Sequence, residues 1–403
     1  MKKFKILFFF FTIFYSLLPT ILFAQMTWIC ATSSAGWPAR YRHTSVVFDN
    51  KIWVLGGKDS TENYRNDVWY SSDGVNWTQA TASAAWSQRW CHTSVIYNNK
   101  MWVLGGEDAN GYKNDVWYST DGINWACATD SANWFPRFDH TSVVFDNKMW
   151  VIGGGAMQEA NDVWYSTDGV NWICATDSAG WWVIAATASV VFNNNIWILG
   201  GWTGCNSTND VWYSNNGINW TRVSSPIPWS SRYWHAGNVF DNKMWVMGGH
   251  TGNFKKDVWY SLDGTNWICA TDSAEWSARA GLTSVIIDNK IWVIGGWDGY
   301  EANDVRNDVW YSIGLGIEEA RGQMQEANGI ECYPNPARTY CAIRLPLSAD
   351  REQIKIFDVM GKQVKSEELK GKNNRVSLDG IKNGLYFIQV GDKSEIKKLV
   401  IIK

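Results

Sequence analysis

Five tryptophans, Trp90, Trp182, Trp202, Trp234 and Trp297, stand outside any repeating pattern, and with Arg42 and Asp139 they are the side chains best suited to hold a ligand. A sugar ring stacks its apolar face on an indole while polar groups orient its hydroxyls, and a protein partner uses Trp and Arg as anchors. The competing reading is that the five cap neighbouring elements and fill gaps, as singly exposed apolar residues commonly do. Sets for catalysis are harder to find. His43, His92, His140 and His235 recur at one repeat position and cannot converge on one ion unless all line an axis, and no His-Glu-x-x-His, paired Cys-x-x-Cys or phosphate-binding loop exists. An acid/base enzyme would draw on Arg42, Asp139 and His250. A copper site would need Cys91, Cys205, His250 and Tyr300. No residue is assigned as catalytic or as a metal ligand, and no cofactor is expected.

The elements that carry these residues repeat. Glycine pairs at Gly56-Gly57, Gly105-Gly106, Gly153-Gly154, Gly200-Gly201, Gly248-Gly249 and Gly295-Gly296 recur every 47 to 49 residues. A period near 50 with several short strands per unit fits one four-stranded propeller blade. In the first unit the strands are expected at Thr44–Phe48, Ile52–Leu55, Val68–Ser71 and Asn76–Ala80, rich in β-branched and aromatic residues. Asp49-Asn50 and Asp73-Gly74 supply turns tolerant of positive φ, so each blade is an antiparallel meander. The sixth unit stops at Ser312 without a fourth strand, while Thr27-Trp28-Ile29-Cys30-Ala31-Thr32 matches Asn266 to Thr271 and precedes the first complete unit. Pairing that segment with the last blade closes the ring at six blades and removes two open sheet edges.

Twenty-four of the 29 tryptophans occupy four positions shared by all six units and read as packing residues. The other five lie in the loop after a glycine pair or in the segment leading into a first strand, connections that emerge on the same face of a meander. Arg40, Arg89, Arg137, Arg232 and Arg279 recur with the four histidines, which points to scaffold hydrogen bonding, because catalytic groups need distinct environments.

The double glycine ending the second strand, the Arg and His before the first, the aromatic pair in the third and the Trp in the fourth resemble the kelch family across Thr27 to Ser312. Trp53 and its equivalents stand where kelch units often carry Tyr, and Ile184 and Thr187 replace Arg and His in the fourth unit. The resemblance implies that the position fourteen residues before each glycine pair faces the channel mouth; there the chain varies, as Arg42, Cys91, Asp139, Ala186, Trp234 and Gly281. The string Ser119 to Trp125 also looks like the Asp-box of sialidase propellers, one residue shorter, and reads as a hairpin turn. From Ile330 onward, Tyr333-Pro334-Asn335-Pro336, Asp358-Val359-Met360-Gly361-Lys362, Gly384-Leu385-Tyr386 and Lys397-Lys398-Leu399-Val400 resemble the C-terminal sorting domain of Bacteroidetes type IX secretion cargo. That resemblance implies the type IX machinery as a partner and a secreted or cell-surface location.

The expected organisation is all-β: a signal peptide over 1–24, a six-bladed kelch-type propeller over 25–313, a polar linker over 314–329, and a small Ig-like β-sandwich sorting domain over 330–403. The lysines before Ile6 and the apolar run to Leu18, shorter than the roughly 20 residues of a membrane span, support cleavage after Ala24 and no stable span afterwards. A net charge of −3 gives no reason to expect nucleic acid. Cys30, Cys127, Cys174 and Cys269 share one repeat position and are expected as free, packed thiols, with Gln79 and Arg222 in the other two units; Cys332 and Cys341 are the candidate bridge. The function expected is a recognition module for a glycan or protein ligand; the alternative is a carbohydrate-active enzyme, of the sugar epimerase or copper oxidase type, on the same face.

Overall fold

A computed structural model describes residues 26–156, 160–301 and 304–313, and the C-terminal strands between 331 and 401. The chain divides into two compact units, Met1–Ile317 and Glu318–Lys403. The signal-peptide and linker segments read from the sequence lie outside the described residues.

In the first unit, six antiparallel blades stand around an axis, and their innermost strands neighbour one another in a closed cycle. The first blade comprises Thr44–Phe48, Lys51–Asp59, Tyr64–Ser71 and Thr78–Thr81. Phe48 pairs with Lys51 across Asp49 and Asn50, both at positive φ (48° and 53°), which is the two-residue hairpin that twists with its strands. At the other hairpin the Asp73 carboxylate accepts from the amides of Val75 and Asn76 and from the Asn76 side chain, each at 2.8 Å. Partial burial opposes its ionisation, but these donors outweigh that and hold the carboxyl down to about 2. Gly74, at φ 72°, touches the next blade: a Cβ there would sit 2.1 Å from the Trp292 ring.

Thr27–Thr32 pairs with Val305–Ile313 as the outer strand of the sixth blade, with Cys30 opposite Trp310. The first and last described strands of the propeller thereby share one sheet. Between blades, Trp37, Trp86, Trp134, Trp229 and Trp276 are almost wholly buried. Arg40, Arg89, Arg137 and Arg232 each lie over one of them, 5.7 to 5.9 Å from the ring centroid. Arg40, fully buried, grips Asp67 bidentately at 2.7 and 2.8 Å, donates to the Gly56 carbonyl at 2.9 Å, and stacks 5.7 Å from the Trp37 ring centroid. Burial works against the Asp67 charge, and Arg40 with Trp69 Nε1 reverses that, so its carboxyl titrates below the usual range. Removing one partner of such a pair strands a buried charge, at a cost of about 3–5 kcal/mol. Arg40→Met is expected to lower stability by that amount in chemical denaturation, and Arg40→Met with Asp67→Leu to recover part of it. A single variant as stable as the parent would show that Asp67 finds water instead.

The fourth blade departs from this scheme. Ile184 replaces the arginine, and the freed Asp210 turns to the rim, where it pairs with Arg222. The cysteines are a correction. Cys30, Cys127, Cys174 and Cys269 are free thiols as expected but exposed rather than packed. They lie on outermost strands, where Trp28, Trp125, Trp172 and Trp267, two positions earlier, are the large side chains that are buried.

The second unit holds a three-stranded sheet (Glu331–Tyr333, Tyr340–Arg344, Asn373–Ser377) and a four-stranded one (Gln363–Lys370, Arg351–Asp358, Gly384–Val390, Ile396–Ile401). Ile354, Ile356, Leu369, Val376, Ile388 and Leu399 from both sheets form one buried cluster. The side chains of Cys332 and Cys341 lie outside the described residues.

Candidate functional site

The six variable positions form the floor of the channel mouth. Arg42, Cys91, Asp139, Ala186, Trp234 and Gly281 all adopt left-handed backbone geometry, with φ between 49° and 57°. In that conformation each N–H turns sideways and donates to the carbonyl of its neighbour in the preceding blade: Cys91 to Arg42, Asp139 to Cys91, Ala186 to Asp139, Trp234 to Ala186, Gly281 to Trp234 and Arg42 to Gly281, at 2.7 to 3.1 Å. The result is a closed hoop of six hydrogen bonds, all running in one rotational sense. Below it, Nε2 of His43, His92 and His140 meets the hydroxyls of Thr283, Thr44 and Thr93 at 3.0, 3.1 and 2.9 Å, stitching neighbouring blades. The histidines are scaffold, as their repetition implies. Burial, reinforced by the nearby arginines, lowers the pKa of His92, His140 and His235 to about 3, so all three are neutral. In the sixth blade Leu282 stands at the histidine position.

Above the hoop, Arg42 is the hub. Its guanidinium carbon lies 3.4 Å from the Trp234 ring centroid, 4.4 Å from Trp90 and 5.6 Å from Trp297, and it donates to Cys91 Sγ at 3.2 Å. Asp139 lies 3.8 Å from Arg42 and accepts from Trp234 Nε1 at 3.0 Å. With 10% of its side chain accessible, Arg42 is spent on these contacts and organises the rings around it. Trp90, Tyr41, Trp297, Trp234, Tyr233 and Trp202 follow one another at centroid separations of 4.5 to 5.9 Å, a belt around the mouth. His250 joins Tyr233 and Tyr300, bonding their hydroxyls through Nδ1 at 2.9 Å and Nε2 at 2.8 Å.

On one side of the belt a cleft of about 450 Å³ opens over the third, fourth and fifth blades, with Tyr112 contributed by the second. Its rings are Tyr112, Phe138, Trp202, Tyr233 and Trp234, its small walls are Val183, Ala185, Ala186, Gly154 and Gly155, and Asp139 is its one ionisable carboxylate. The loops explain the asymmetry. In the first, second and sixth blades the loop after the glycine pair is braced by an ion pair, Asp59 with Arg65, Asp108 with Lys113 and Asp298 with Arg306. The third, fourth and fifth carry Ala156, Thr203 and Thr251 at the corresponding place. With Ile184 replacing arginine in the fourth, the wall there is apolar.

Four of the five unrepeated tryptophans, with Arg42 and Asp139, are therefore brought together; Trp182, 76% exposed, makes no ring contact among the described residues. Cys91 lies against Arg42, and His250 lies between two tyrosines, so the four residues of the copper reading are not gathered in one place. Among the described residues no group of three or more His, Cys, Asp and Glu is arranged to hold a metal. Tyr112, Phe138 and Tyr233 were missed. The signal for them was the fourth unit's loss of Arg and His together with the Gly153-Gly154-Gly155 run, which mark where repeat constraints lapse.

The propeller defined by this fold is of the kelch type. A KLHDC2/KLHL20/DRC7 Kelch-repeats domain matches residues 18–180, and the Kelch motif matches 185–213 and 278–311. A secretion system C-terminal sorting domain matches residues 331–403, so the chain is a kelch propeller addressed by type IX secretion to the cell surface or extracellular space. Among the described residues no helix is long and apolar enough to cross a membrane. The solved structure titled "Structure of YjhT" aligns over 70% of this chain and 96% of that one, with TM-score 0.56 and 15% identity, a likeness of fold. Beta-agarase A of Zobellia galactanivorans is 35% identical over 69 residues, which is 17% of this chain and 12% of that protein.

Proposed function

We propose that this chain, cleaved after Ala24 and exported, is a recognition module whose cleft binds an uncharged saccharide. The observation that carries the reading is the composition of the cleft: aromatic rings on several walls, small residues between them, and a single carboxylate at the floor. Rings take the apolar faces of a pyranose, and Asp139 accepts from its hydroxyls. The volume is within the range of small-ligand sites. Arg42 and Asp139 are about equally covered, 10% and 9% exposed, and lie 3.8 Å apart, so the two charges offset each other and the mouth suits an uncharged ligand. A protein loop is the other occupant such a mouth suits, and kelch domains commonly serve protein interaction.

The hydrogen-bonded series Tyr300, His250, Tyr233 ends in the cleft and favours one second reading, proton transfer to a bound sugar. Sugar turnover abolished by Tyr233→Phe would establish it.

The binding reading is tested by calorimetry with neutral oligosaccharides. Trp202→Ala, away from the Arg42 hub, is expected to weaken binding at least tenfold, about 1.4 kcal/mol, with an unchanged circular dichroism spectrum. Unaltered affinity in Trp202→Ala and Trp234→Ala would remove the cleft as the site.

A further inference from the structure

Phe135 and Trp182 are 60% and 76% exposed, among the most exposed large apolar side chains of the propeller. They occupy the same place in two neighbouring repeats, one residue after the buried Trp134 and Trp181. In the other four repeats that place holds Pro38, Ser87, Ser230 and Ser277. Three such segments line the cleft, and two of them carry the aromatic residue: one supplies Phe138 and Asp139, the other Val183, Ala185 and Ala186, while the third, with Ser230, supplies Tyr233 and Trp234. Each segment runs over the mouth face from an outer strand toward the axis, so Phe135 and Trp182 lie on the outward side of the cleft. Phe135 is three residues from Phe138, and Trp182 three from Ala185, a reach of at most about 10 Å. Stacking platforms laid outside a pocket, on two of the segments that line it and with no charge of their own, suit a ligand longer than the pocket.

We propose that the cleft is the inner subsite of a track for a chain-like neutral glycan, and that Phe135 and Trp182 are its outer stacking platforms. This rests on the saccharide reading of the cleft and names its ligand class: an oligomer or polymer rather than a free sugar. A monosaccharide or disaccharide fills the cleft alone. Further residues of the same chain lie over the outer rings, each ring offering an apolar face to an unsubstituted sugar face. Affinity should therefore rise with chain length until the outer rings are covered and then level off.

The probes are neutral gluco- and galacto-oligosaccharides of two to eight residues, titrated into the full-length protein. The parent is expected to bind a six-residue chain at least tenfold more tightly than the disaccharide of the same series. Phe135→Ala with Trp182→Ala should remove that gain while leaving the disaccharide affinity unchanged, since both side chains are exposed and outside the cleft. Trp202→Ala should weaken every length alike. A length gain that survives in the double variant overturns the track and leaves the cleft reading standing. Absence of binding by every oligosaccharide removes the cleft reading, and the track with it. Self-association of the parent in sedimentation that the double variant abolishes also overturns the track, by assigning the two rings to contact with a second copy.

Discussion

A propeller lacking Thr27–Thr32 is expected to aggregate and to melt far below the parent. The segment pairs along its length with Val305–Ile313, and its loss would leave the Val309, Trp310 and Tyr311 edge unpaired. Trp28 would go with it. That side chain is 3% exposed, lies 5.9 Å from the Trp276 ring with its edge toward it, and its amide donates to Glu275 at 3.0 Å. Truncating a buried tryptophan costs about 3–5 kcal/mol, before the lost ladder is counted, and domains carry about 5–15 kcal/mol in all. The open edge adds a template for intermolecular pairing. Scanning calorimetry and light scattering on a chain beginning at Ser33 test this, with Trp28→Ala as the milder companion. A truncated chain with the parent's melting temperature would mean that the sixth blade is complete without its outer strand.

Acidification is expected to be the second large effect, beginning well above the carboxylate range. His92, His140 and His235 have folded-state pKa values near 3, against about 6.5 for an unfolded histidine. Between those values the unfolded chain binds protons that the folded one refuses. Stability is thus fully present above about pH 6.5 and is lost as pH falls toward 3. At pH 5 the loss is about 2 kcal/mol per histidine, or about 6 kcal/mol for the three. The buried carboxylates, such as Asp67, have depressed values and contribute their own loss only below about pH 4. Melting temperature measured from pH 7.5 to 4.5 should fall steadily below 6.5. The seam between the fifth and sixth blades suggests the control: Ala236 and Leu282 fill the places of threonine and histidine there, and His43 is depressed like the other three, so His92→Leu with Thr44→Ala should flatten the profile by about a quarter. A melting temperature that is the same at pH 7 and pH 5 would show that protons reach these rings in the folded state.

The repeat made the propeller legible. Paired glycines, Asp-Asn and Asp-Gly turns and the stray Thr27–Thr32 strand each carry a local backbone requirement that shows in residue type, so blade number and ring closure could be read directly. The mouth was legible only by subtraction. Tryptophans without a repeat role pointed to one face, and four of the five converge there. What sequence could not show is which of them hold one another: Arg42 reads as a free cation, yet it is enclosed by rings from the second, fifth and sixth blades, contacts set by ring closure across more than 250 residues. The rim cysteines were misjudged for a similar reason. Their motif resembles that of a packed strand, but the fanning of blades, which decides their exposure, is a property of the whole ring.

The hoop at the channel mouth bears on how such a protein can change. Left-handed geometry costs a non-glycine residue about 1 kcal/mol or more, and a bulky residue such as Trp234 is unusual in it. Here the hoop itself is made by peptide groups, since every bond in it runs from an amide to a carbonyl. The side chains of Arg42, Cys91, Asp139 and Trp234 also meet one another, but Ala186 and Gly281 hold the same geometry with no polar side chain. Guanidinium, thiol, carboxylate, methyl, indole and hydrogen already occupy the six equivalent places, a demonstration within one molecule that the mount accepts dissimilar chemistry. The chemistry at the axis is therefore modular: one codon at a time can be exchanged there while the backbone frame around it stays assembled, and lineages descended from this chain are free to vary the mouth without first relearning how to fold.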